Sequence, residues 1–552
     1  MQPDAITSAS SSVRAAIDIR RFPGMRRLAG DYAYDFARLA PFFAGNPADP
    51  STWPAAIART QSHPRERRRV ADALAQQQER RGAPPEARAA AARLADPQTV
   101  AVVTGQQAGL FGGPLYTLLK ALTALKLAGA VNRDHGVPTV AIFWIESEDH
   151  DWAEVSSCAV LDAEMRRQIL ALGTPPFGAG EGPVASVRLD PAIFAAIETL
   201  RFTLPPTEFT DELVARLSEA YRPGVGMADA FGQWLEALLG PLGLVVYDAA
   251  DPATKPLVRD VFVRELESPG LTTTLAAASG QALVELGYHS QVVPHRDNVA
   301  LFRLDGVRQP IHFRDDGFVV GDLAVSTKDL LEEARLQPEG FSPNVLLRPI
   351  VQDTLFPTIC YVAGPNELAY LAQLQPIYEH FGVPQPLMFP RATATLLDSA
   401  SARFLAKYNL PLETLQPGDE AALNHLLETQ LPASVEAALH EATQAIERSM
   451  GRLIESVPSI DPTLEDAARS TLGRLQHDLR KLHDKIIHAQ KRRDETLRRQ
   501  YSRTRALAFP DGHPQERMVA FVYFLNRYGP ALIDRLHADL PLGPGQHWVM
   551  AI

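Results

Sequence analysis

Cysteine is almost missing from this sequence. Only Cys158 and Cys360 occur in 552 residues, and the chain has neither a CxxC pair nor the Cys–His spacing of a structural zinc site. The chain is therefore not a disulfide-stapled scaffold. Each cysteine is predicted to be a small buried hydrophobic residue rather than a nucleophile.

Long apolar runs and an excess of positive charge are also missing. The best apolar stretches, Thr139–Ile145 and Leu242–Tyr247, have the length of a strand and not of a membrane span. The N-terminal residues lack the apolar core of a signal peptide. The net charge of −11 argues against a protein that coats nucleic acid or anionic lipid. We therefore expect a soluble, cytoplasmic protein without nucleic-acid or membrane partners.

The sequence does contain short runs that are apolar throughout and alternate with helical patterns. Such runs are typical of a parallel sheet covered by helices on both faces, which predicts an α/β fold. In sheets of this kind, ligands bind beyond the carboxyl ends of the strands. The predicted strands are Thr99–Thr104, Thr139–Ile145, Gly243–Tyr247, Pro357–Val362 and Pro386–Phe389.

Changes of composition along the chain predict its domains. A sheet core with a helical N-terminal region is interrupted by two accessory inserts and is followed by a helical arm. The last segment is expected to pack back on the core. The predicted segments are 1–151 and 236–395 for the core, 152–235 and about 270–345 for the inserts, 396–508 for the helical domain and 509–552 for the C-terminal segment.

Apolar residues in steps of three and four predict two long helices in the helical domain. This 3.5-residue repeat runs through Val435–Leu453 and again through Leu472–Ala489, with the breaker-rich turn Pro458–Pro462 between them. The pattern predicts an antiparallel coiled-coil hairpin. The simplest hypothesis for its function is that it forms a homodimer. Basic residues within Arg480–Arg505 form either a solvated face of the hairpin or a stripe for nucleic acid or nucleotide phosphate.

A glycine-rich loop, Gly105–Gly113, joins the first predicted strand to a helix. Backbone N–H groups and the helix dipole can hold an anion at such a place. The loop is neither a GxGxxG nor a Walker sequence, so a nucleotide or carboxylate site and a simple tight turn are both open. The candidate binding residues here are Thr104, Gly105, Gln106, Gln107, Gly109, Gly112 and Gly113.

The second predicted strand ends in Glu146-Ser-Glu-Asp-His-Asp151. Five ionisable groups in six residues cannot all be buried without neutralising one another or shifting their pKa values. The stretch is a candidate general base, a candidate hard-metal site, or an acidic helix N-terminus. The catalytic candidates are Asp149 and His150, and the binding candidates are Trp144, Glu146, Glu148 and Asp151.

More polar residues accompany the later strands. Arg348 and Gln352 stand four residues apart ahead of the fourth strand. Arg348 has two possible roles. It binds a carboxylate or phosphate of a ligand, or it forms an internal ion pair with Asp353 or Glu367. His289 is a binding candidate, although a lone histidine is more often structural. The candidates from these regions are His289, Arg348, Gln352, Asp353, Gly364, Asn366, Glu367 and Arg391.

Several of these stretches, taken together, resemble the family of the bacillithiol biosynthesis cysteine-adding enzyme, BshC. The first stretch, Thr104–Ala121, is long and unusual, and the order and spacing of the stretches match the family over nearly the whole chain. The matching stretches are Thr104–Ala121, Phe143–Asp151, Ser342–Asp353, Ala363–Tyr370, Pro390–Arg391 and Leu525–Gly529.

The resemblance implies a Rossmann-like, doubly wound core related to class I aminoacyl-tRNA synthetases, with connecting inserts and a dimer-forming coiled coil. It also implies a ligase that joins the carboxyl group of L-cysteine to the amino group of glucosaminyl malate, the last step of bacillithiol synthesis. The sequence departs from the synthetase pattern because it has no clear HxGH-type or KMSKS-type motif. The adenylate chemistry of that fold relationship therefore does not follow from the sequence.

An amide does not form readily from a free carboxylate in water, so we expect activation by ATP, with Mg²⁺. The Gly105–Gly113 loop would hold phosphate or a substrate carboxylate, Asp149 and His150 would take the ammonium proton, and Arg348 or Arg391 would hold malate. No residue is assigned to a resident metal. The alternatives are a non-catalytic ligand-binding scaffold with a coiled-coil partner arm, and a metal-dependent hydrolase built on Glu146–Asp151.

Overall fold

A computed structural model describes residues 12–173, 175–176, 178–292, 297–315, 317–429, 433–493 and 495–552. The described residues form two compact units. The larger unit combines the chain up to Leu396 with His513–Ile552, and the smaller unit is Leu397–Gly512. No helix among the described residues is long and apolar enough to cross a membrane.

The strands are short, and most belong to the larger unit. In chain order they are β1 (Val13–Asp18), β2 (Val100–Gln107), β3 (Thr139–Glu146), β4 (Ser157–Leu161), β5 (Arg167–Ala171), β6 (Val245–Asp248), β7 (Asn298–Asp305), β8 (Val307–Arg314), β9 (Gly317–Val320), β10 (Leu323–Val325), β11 (Phe341–Pro343), β12 (Thr358–Ala363), β13 (Leu387–Pro390), β14 (Thr393–Leu397) and β15 (Gln546–Ala551).

The helices lie before, between and after these strands. Those of the larger unit up to β14 are α1 (Arg27–Tyr34), α2 (Thr52–Ser62), α3 (Arg67–Arg81), α4 (Pro85–Arg93), α5 (Leu115–His135), α6 (Trp152–Val155), α7 (Ala192–Thr203), α8 (Thr210–Ala220), α9 (Met227–Leu239), α10 (Lys255–Glu267), α11 (Leu271–Glu285), α12 (Thr327–Leu336), α13 (Arg348–Leu355), α14 (Glu367–Leu371) and α15 (Gln375–Phe381). The remaining helices are α16 (Ser399–Tyr408), α17 (Ala421–Glu428), α18 (Ala433–Ser456), α19 (Leu464–Arg493), α20 (Glu495–Ala508), α21 (Gln515–Met518), α22 (Phe521–Tyr528) and α23 (Ala531–Asp539).

The core of the larger unit is a five-stranded parallel sheet in the order β13-β12-β2-β3-β6. All five strands predicted from apolar runs are present in it, and the Rossmann-like fold is confirmed. The chain builds outward from β2 through β3 to β6, and then crosses to the other side of β2 to form β12 and β13. This reversal opens a crevice at the carboxyl ends of β2 and β12, which is where open α/β sheets bind ligands.

The apolar character of the strands explains why they lie in the centre. The side chains of β2 from Val100 to Gly105 and of β3 from Thr139 to Ile145 are buried, and exposure rises only at Gln106, Gln107 and Glu146. A strand buried on both faces must be apolar along its whole length. The polar side chains therefore collect at the carboxyl ends, beside the crevice.

Three further sheets accompany the core sheet. An antiparallel sheet in the order β10-β9-β8-β7-β11 lies within the predicted second insert, and the hairpin β4-β5 lies in the first. The third sheet has the order β1-β15-β14. It corrects the expectation that the N-terminal region is only helical, because Val13–Asp18 pairs antiparallel with β15 at the other end of the sequence.

The smaller unit contains the predicted coiled-coil hairpin. Helices α18 and α19 pack against each other, and a short 3₁₀ turn at Val457–Ser459 follows α18. The heptad-like spacing thus correctly predicts two long paired helices. Part of the basic stretch Arg480–Arg505 has no described side chains, at 488 and 490–494, so the choice between a solvated face and a phosphate stripe stays open.

His547 on β15 should make stability depend on pH. Its buried ring lies 2.8 Å from Thr395 Oγ1, and burial lowers its pKa to about 4, aided by Arg391 and opposed by Glu516. The unfolded chain binds a proton near pH 6.5 and the native chain does not, so stability falls as the pH drops from 6.5 to 4. We expect a loss of about 3 kcal/mol over this range.

Urea unfolding at pH 7 and pH 4.5 measures this loss. His547→Gln keeps a hydrogen-bonding group but cannot titrate, so its stability should change less between the two pH values. Equal losses in the variant and the parent would show that His547 is not responsible.

Candidate functional site

A cavity of about 390 Å³ lies at the carboxyl ends of β2, β3 and β12. We call it the main cavity. It is closed on one side by the accessory sheet, through Phe302 and Arg308, and by the segment Pro343–Val345. The structure brings together at this cavity a large part of the predicted site, namely Gly105, Gln106, Gln107, Trp144, Glu146, Asp149, Arg348 and Glu367.

Arg348, the first residue of α13, supplies a buried cation to the main cavity. Its side chain is only 10% exposed, and its Nε lies 3.7 Å from Glu146 Oε2. Nη1 donates to Gln352 Oε1 at 3.1 Å. Burial raises the pKa of Glu146, while Arg348 and a hydrogen bond from Trp144 Nε1 oppose this rise. Arg348 thus lines the main cavity and contacts Glu146 at more than hydrogen-bond distance.

Asp149 lies between Gln107 and Arg308, a residue that no sequence pattern singles out. Arg308 Nη1 donates to Asp149 Oδ1 at 3.0 Å, and Gln107 Nε2 donates to Asp149 Oδ2 at 3.0 Å. His150 is half exposed, with Nδ1 3.3 Å from Asp149 Oδ1. The predicted pair of Asp149 and His150 is therefore adjacent, with the carboxylate at the cavity and the imidazole towards solvent.

Glu367 is the third carboxylate of the main cavity. Its Oε2 lies 2.6 Å from Lys120 Nζ, and its Oε1 accepts a hydrogen bond from Tyr361 at 3.2 Å. Lys120 also donates to the carbonyl of Gly105 at 2.7 Å. Burial lowers the pKa of Lys120, and Glu367 opposes this. Lys120 is part of a motif noted in the sequence, but its role in holding Glu367 and β2 is visible only in the structure.

The glycine loop is built differently from a phosphate cradle. The N–H groups of Gly109, Gly112 and Gly113 donate to carbonyls of Gln107, Gly109 and Leu110 at 2.9–3.1 Å. At Gly112, φ is +95° and a Cβ would lie 2.2 Å from the Phe521 ring. These three backbone donors are engaged within the loop and Gly112 packs against Phe521, which favours the tight-turn alternative.

Other predicted residues lie outside the main cavity because they have structural partners. Thr104 Oγ1 donates to the Val362 carbonyl and ties β2 to β12. Glu148 forms a buried ion pair with Lys255. Asp151 accepts from the Glu154 N–H and caps α6, which is the acidic helix N-terminus considered as an alternative.

The later candidates divide in the same way. Arg391 forms a buried ion pair with Glu516 at 2.7 Å, and Asp353 accepts a hydrogen bond from Tyr378 at 2.6 Å. The Gly364 N–H donates to Glu367. His289 and Asn366 are exposed and line neither this cavity nor the smaller one beside it. Of the later candidates, Arg348 and Glu367 line the main cavity, and Gln352 supports it through Arg348.

The acidic stretch does not converge as a metal site would. Glu146, Glu148 and Asp149 each face a different cation, namely Arg348, Lys255 and Arg308. Within the described part of the chain, no group of three or more His, Cys, Asp or Glu side chains is placed to share a metal ion. The hydrolase alternative built on these residues therefore has no geometric support.

Both cysteines are buried, as predicted. Burial raises the pKa of the Cys158 thiol to about 12 and that of Cys360 well above its usual value. Because the thiolate is the reactive form, neither side chain is poised for nucleophilic chemistry near neutral pH.

A second cavity of about 210 Å³ adjoins the main cavity. We call it the side cavity. It is bounded by the start of α5, by the hairpin β4-β5 and by α21, and it shares Gln106, Gln107 and Glu154 with the main cavity. The carboxyl end of β2 thus separates two neighbouring spaces.

Comparison with known proteins supports the features described above. Residues 15–392 match the family model "Bacillithiol biosynthesis BshC, N-terminal Rossmann-like domain", and residues 394–552 match "Bacillithiol biosynthesis BshC, C-terminal coiled-coil domain". Among curated relatives, proteins named "Putative cysteine ligase BshC" from Salinibacter ruber and Koribacter versatilis are each 34% identical. The alignments cover 95% of both chains for the first, and 94% of this chain and 96% of the relative for the second. The chain therefore belongs to the BshC family of bacillithiol biosynthesis proteins.

Proposed function

We propose that this protein is a cytoplasmic ligase that forms the amide bond between the carboxyl group of L-cysteine and the amino group of glucosaminyl malate. The main cavity carries this proposal. It places the guanidinium groups of Arg308 and Arg348 and the carboxylates of Glu146, Asp149 and Glu367 around one space. An acceptor with two carboxylates and one ammonium group is complementary to that set. The names of the relatives, which call them putative cysteine ligases, support ligation of cysteine.

The acceptor would bind with its malate end towards the arginines. Arginine matches a carboxylate through two parallel N–H donors. Arg308 Nε is buried and has no hydrogen-bond partner among the described residues, and Arg348 is separated from Glu146 by 3.7 Å. Both cations therefore retain capacity for a ligand carboxylate.

The amino end would then face the acidic side of the cavity. Only the neutral amine can attack a carboxyl carbon, so the ammonium group must lose a proton. In this proposal Asp149 accepts that proton and His150, 3.3 Å away, passes it to solvent. Glu146 provides a second nearby carboxylate that favours binding of the ammonium form.

Activation of the cysteine carboxyl group is a separate proposal, and ATP with Mg²⁺ is the expected donor. The glycine loop does not fit the phosphate-binding role, because its backbone donors are engaged within the loop. Lys120 is buried in its ion pair with Glu367. We therefore assign no residue to the nucleotide.

The experiment is end-point mass spectrometry of purified protein incubated with glucosaminyl malate and L-cysteine, with and without ATP and Mg²⁺. ATP-dependent bacillithiol would establish the ligase, and the release of AMP or ADP would identify the activated intermediate. Bacillithiol formed equally well without a nucleotide would contradict the activation proposal. No product under either condition would favour the scaffold alternative.

The proton-transfer assignment predicts a specific kinetic loss. Asp149→Asn with His150→Gln should lower kcat by about 10²–10⁴-fold, the usual contribution of general-base catalysis. The loss should shrink as the pH is raised, because more of the amine is then already neutral. Product formation at the parental rate across the pH range would refute the assignment. Asp190→Asn is the control, because it makes the same Asp-to-Asn change at a residue of the first insert.

We also propose a homodimer formed through the coiled-coil hairpin. Leu453 of α18 and Leu475 and Leu482 of α19 remain exposed in the single chain. Apolar side chains repeated along one helix pair are typical of an interface. Light scattering coupled to size exclusion should give twice the mass of one chain, and a monomer mass would contradict the proposal.

A further inference from the structure

The side cavity has the dimensions of a small metabolite. A water molecule takes about 30 Å³ of liquid volume, so 210 Å³ corresponds to about seven water molecules. A small amino acid has about as many non-hydrogen atoms, so the space is large enough for one.

Two residues that line this cavity each carry a buried polar atom without a hydrogen-bond partner among the described residues. Thr117 is 1% exposed, and its Oγ1 makes no hydrogen bond to any described residue. The same holds for Oε1 of Gln107, although its Nε2 donates to Asp149. Leaving a buried polar atom unpaired is costly, so such atoms usually face a ligand or water. The wall of the side cavity is thus prepared to form hydrogen bonds with an occupant.

The charges around the cavity have both signs. Arg167 and Arg517 line it as cations, and Glu154 lines it as an anion. The guanidinium of Arg517 also lies 5.9 Å from the centre of the Tyr116 ring, which forms part of the wall. A ligand with one carboxylate and one ammonium group is complementary to this arrangement.

The remaining wall is apolar. Val155, Cys158, Ala159 and Met518 line the cavity between the charged groups. This surface suits a short side chain without a formal charge. The Cys158 thiol stays protonated near neutral pH, because burial raises its pKa to about 12. Cys158 therefore contributes a neutral, unreactive surface to the wall.

We propose that the side cavity is the binding subsite for the amino-acid substrate, L-cysteine, and that the main cavity holds only the acceptor. The inference rests on the proposed ligase function and adds to it the location of the second substrate. Arg517 and Thr117 bind the carboxylate end, Glu154 binds the ammonium group, and Gln107 contacts both cavities. Gln107 and Glu154 line both cavities, so the two substrates bind in adjacent spaces.

Isothermal titration of the full-length protein with L-cysteine under reducing conditions, without acceptor, tests this subsite. Thr117→Val and Arg517→Met should each weaken binding by about tenfold or more, since each removes a hydrogen bond to a charged group. Arg303→Met is the matched control, because Arg303 forms an ion pair with Glu333 and lines neither cavity, and it should leave the cysteine Kd unchanged. Cysteamine, which lacks the carboxylate, and 3-mercaptopropionate, which lacks the ammonium group, should bind at least tenfold more weakly than cysteine.

Absence of cysteine binding, or a Kd unaffected by both Thr117→Val and Arg517→Met, would overturn the subsite. Competition of AMP with cysteine that is lost in Arg517→Met would assign the cavity to a nucleotide instead. Cysteine binding with the expected variant pattern, but without any product in the mass-spectrometric assay, would leave the subsite standing and refute the ligase function.

Discussion

Replacing Arg348 with methionine should lower kcat/KM for glucosaminyl malate by about 10²–10³-fold, mostly through KM. Two losses combine. The acceptor loses a charge-assisted hydrogen bond of about 1.5–3 kcal/mol, and Glu146 loses the cation that lies 3.7 Å away. An uncompensated buried carboxylate binds a proton and no longer attracts the acceptor's ammonium group. A group that holds a remote part of the substrate affects binding before and during the reaction, so KM changes more than kcat.

Steady-state kinetics with varied acceptor at saturating cysteine measures this effect. Arg303→Met is the matched control, because Arg303 also forms a partly buried ion pair, 2.8 Å from Glu333, but does not line the main cavity. Arg348→Met with Glu146→Gln removes both charges and separates a folding defect from a binding defect. If Arg348→Met folds normally and keeps the parental KM, the acceptor does not contact Arg348.

Replacing Arg391 with methionine should destabilise the larger unit by about 3–5 kcal/mol and leave the KM of both substrates unchanged. The sequence makes Arg391 an alternative to Arg348 for binding malate, but the guanidinium of Arg391 is buried against Glu516, which follows the coiled-coil hairpin in the chain. The other oxygen of Glu516 accepts the N–H of Ala394 at 3.0 Å. Removing one member of a buried ion pair leaves the other charge without compensation, which costs far more than the pair itself contributes.

Urea unfolding at pH 7 gives the free-energy change, and kinetics on the remaining folded enzyme gives KM. The double variant Arg391→Met with Glu516→Leu should recover much of the stability, because it removes both charges together. A large rise in KM for glucosaminyl malate in a stably folded Arg391→Met protein would show that Arg391 binds this substrate.

The sequence located the sheet well because burial imposes a local pattern. Strands buried on both faces must be apolar throughout, so β2, β3, β6, β12 and β13 could be recognised one at a time. The coiled-coil hairpin was equally visible, since its repeat follows directly from helix geometry. By contrast, β1 pairs with β15 across almost the whole chain. Nothing within the N-terminal region indicates a strand whose partner lies so far away.

The candidate site was predictable in part for the same reason. The carboxyl ends of parallel strands meet at one edge of the sheet. The sequence alone therefore predicts that Gln107, Glu146 and Glu367 lie near one another. The sequence could not tell which polar residues have structural partners. Arg348 and Arg391 look equivalent in a sequence, but one lines a cavity and the other pairs with Glu516.

The sequence by itself determined the elements of this protein: the apolar strands, the paired long helices, the polar strand ends and the motifs of the BshC family. These follow from periodicity and burial, which act over a few residues. Only the tertiary structure decided which side chains contact one another across distant segments. Arg308 reaches Asp149 from an accessory sheet, Lys120 reaches Glu367 from α5, and α21 completes the side cavity. Such contacts depend on how distant segments pack, and charge pairing across that distance leaves no local pattern in the chain.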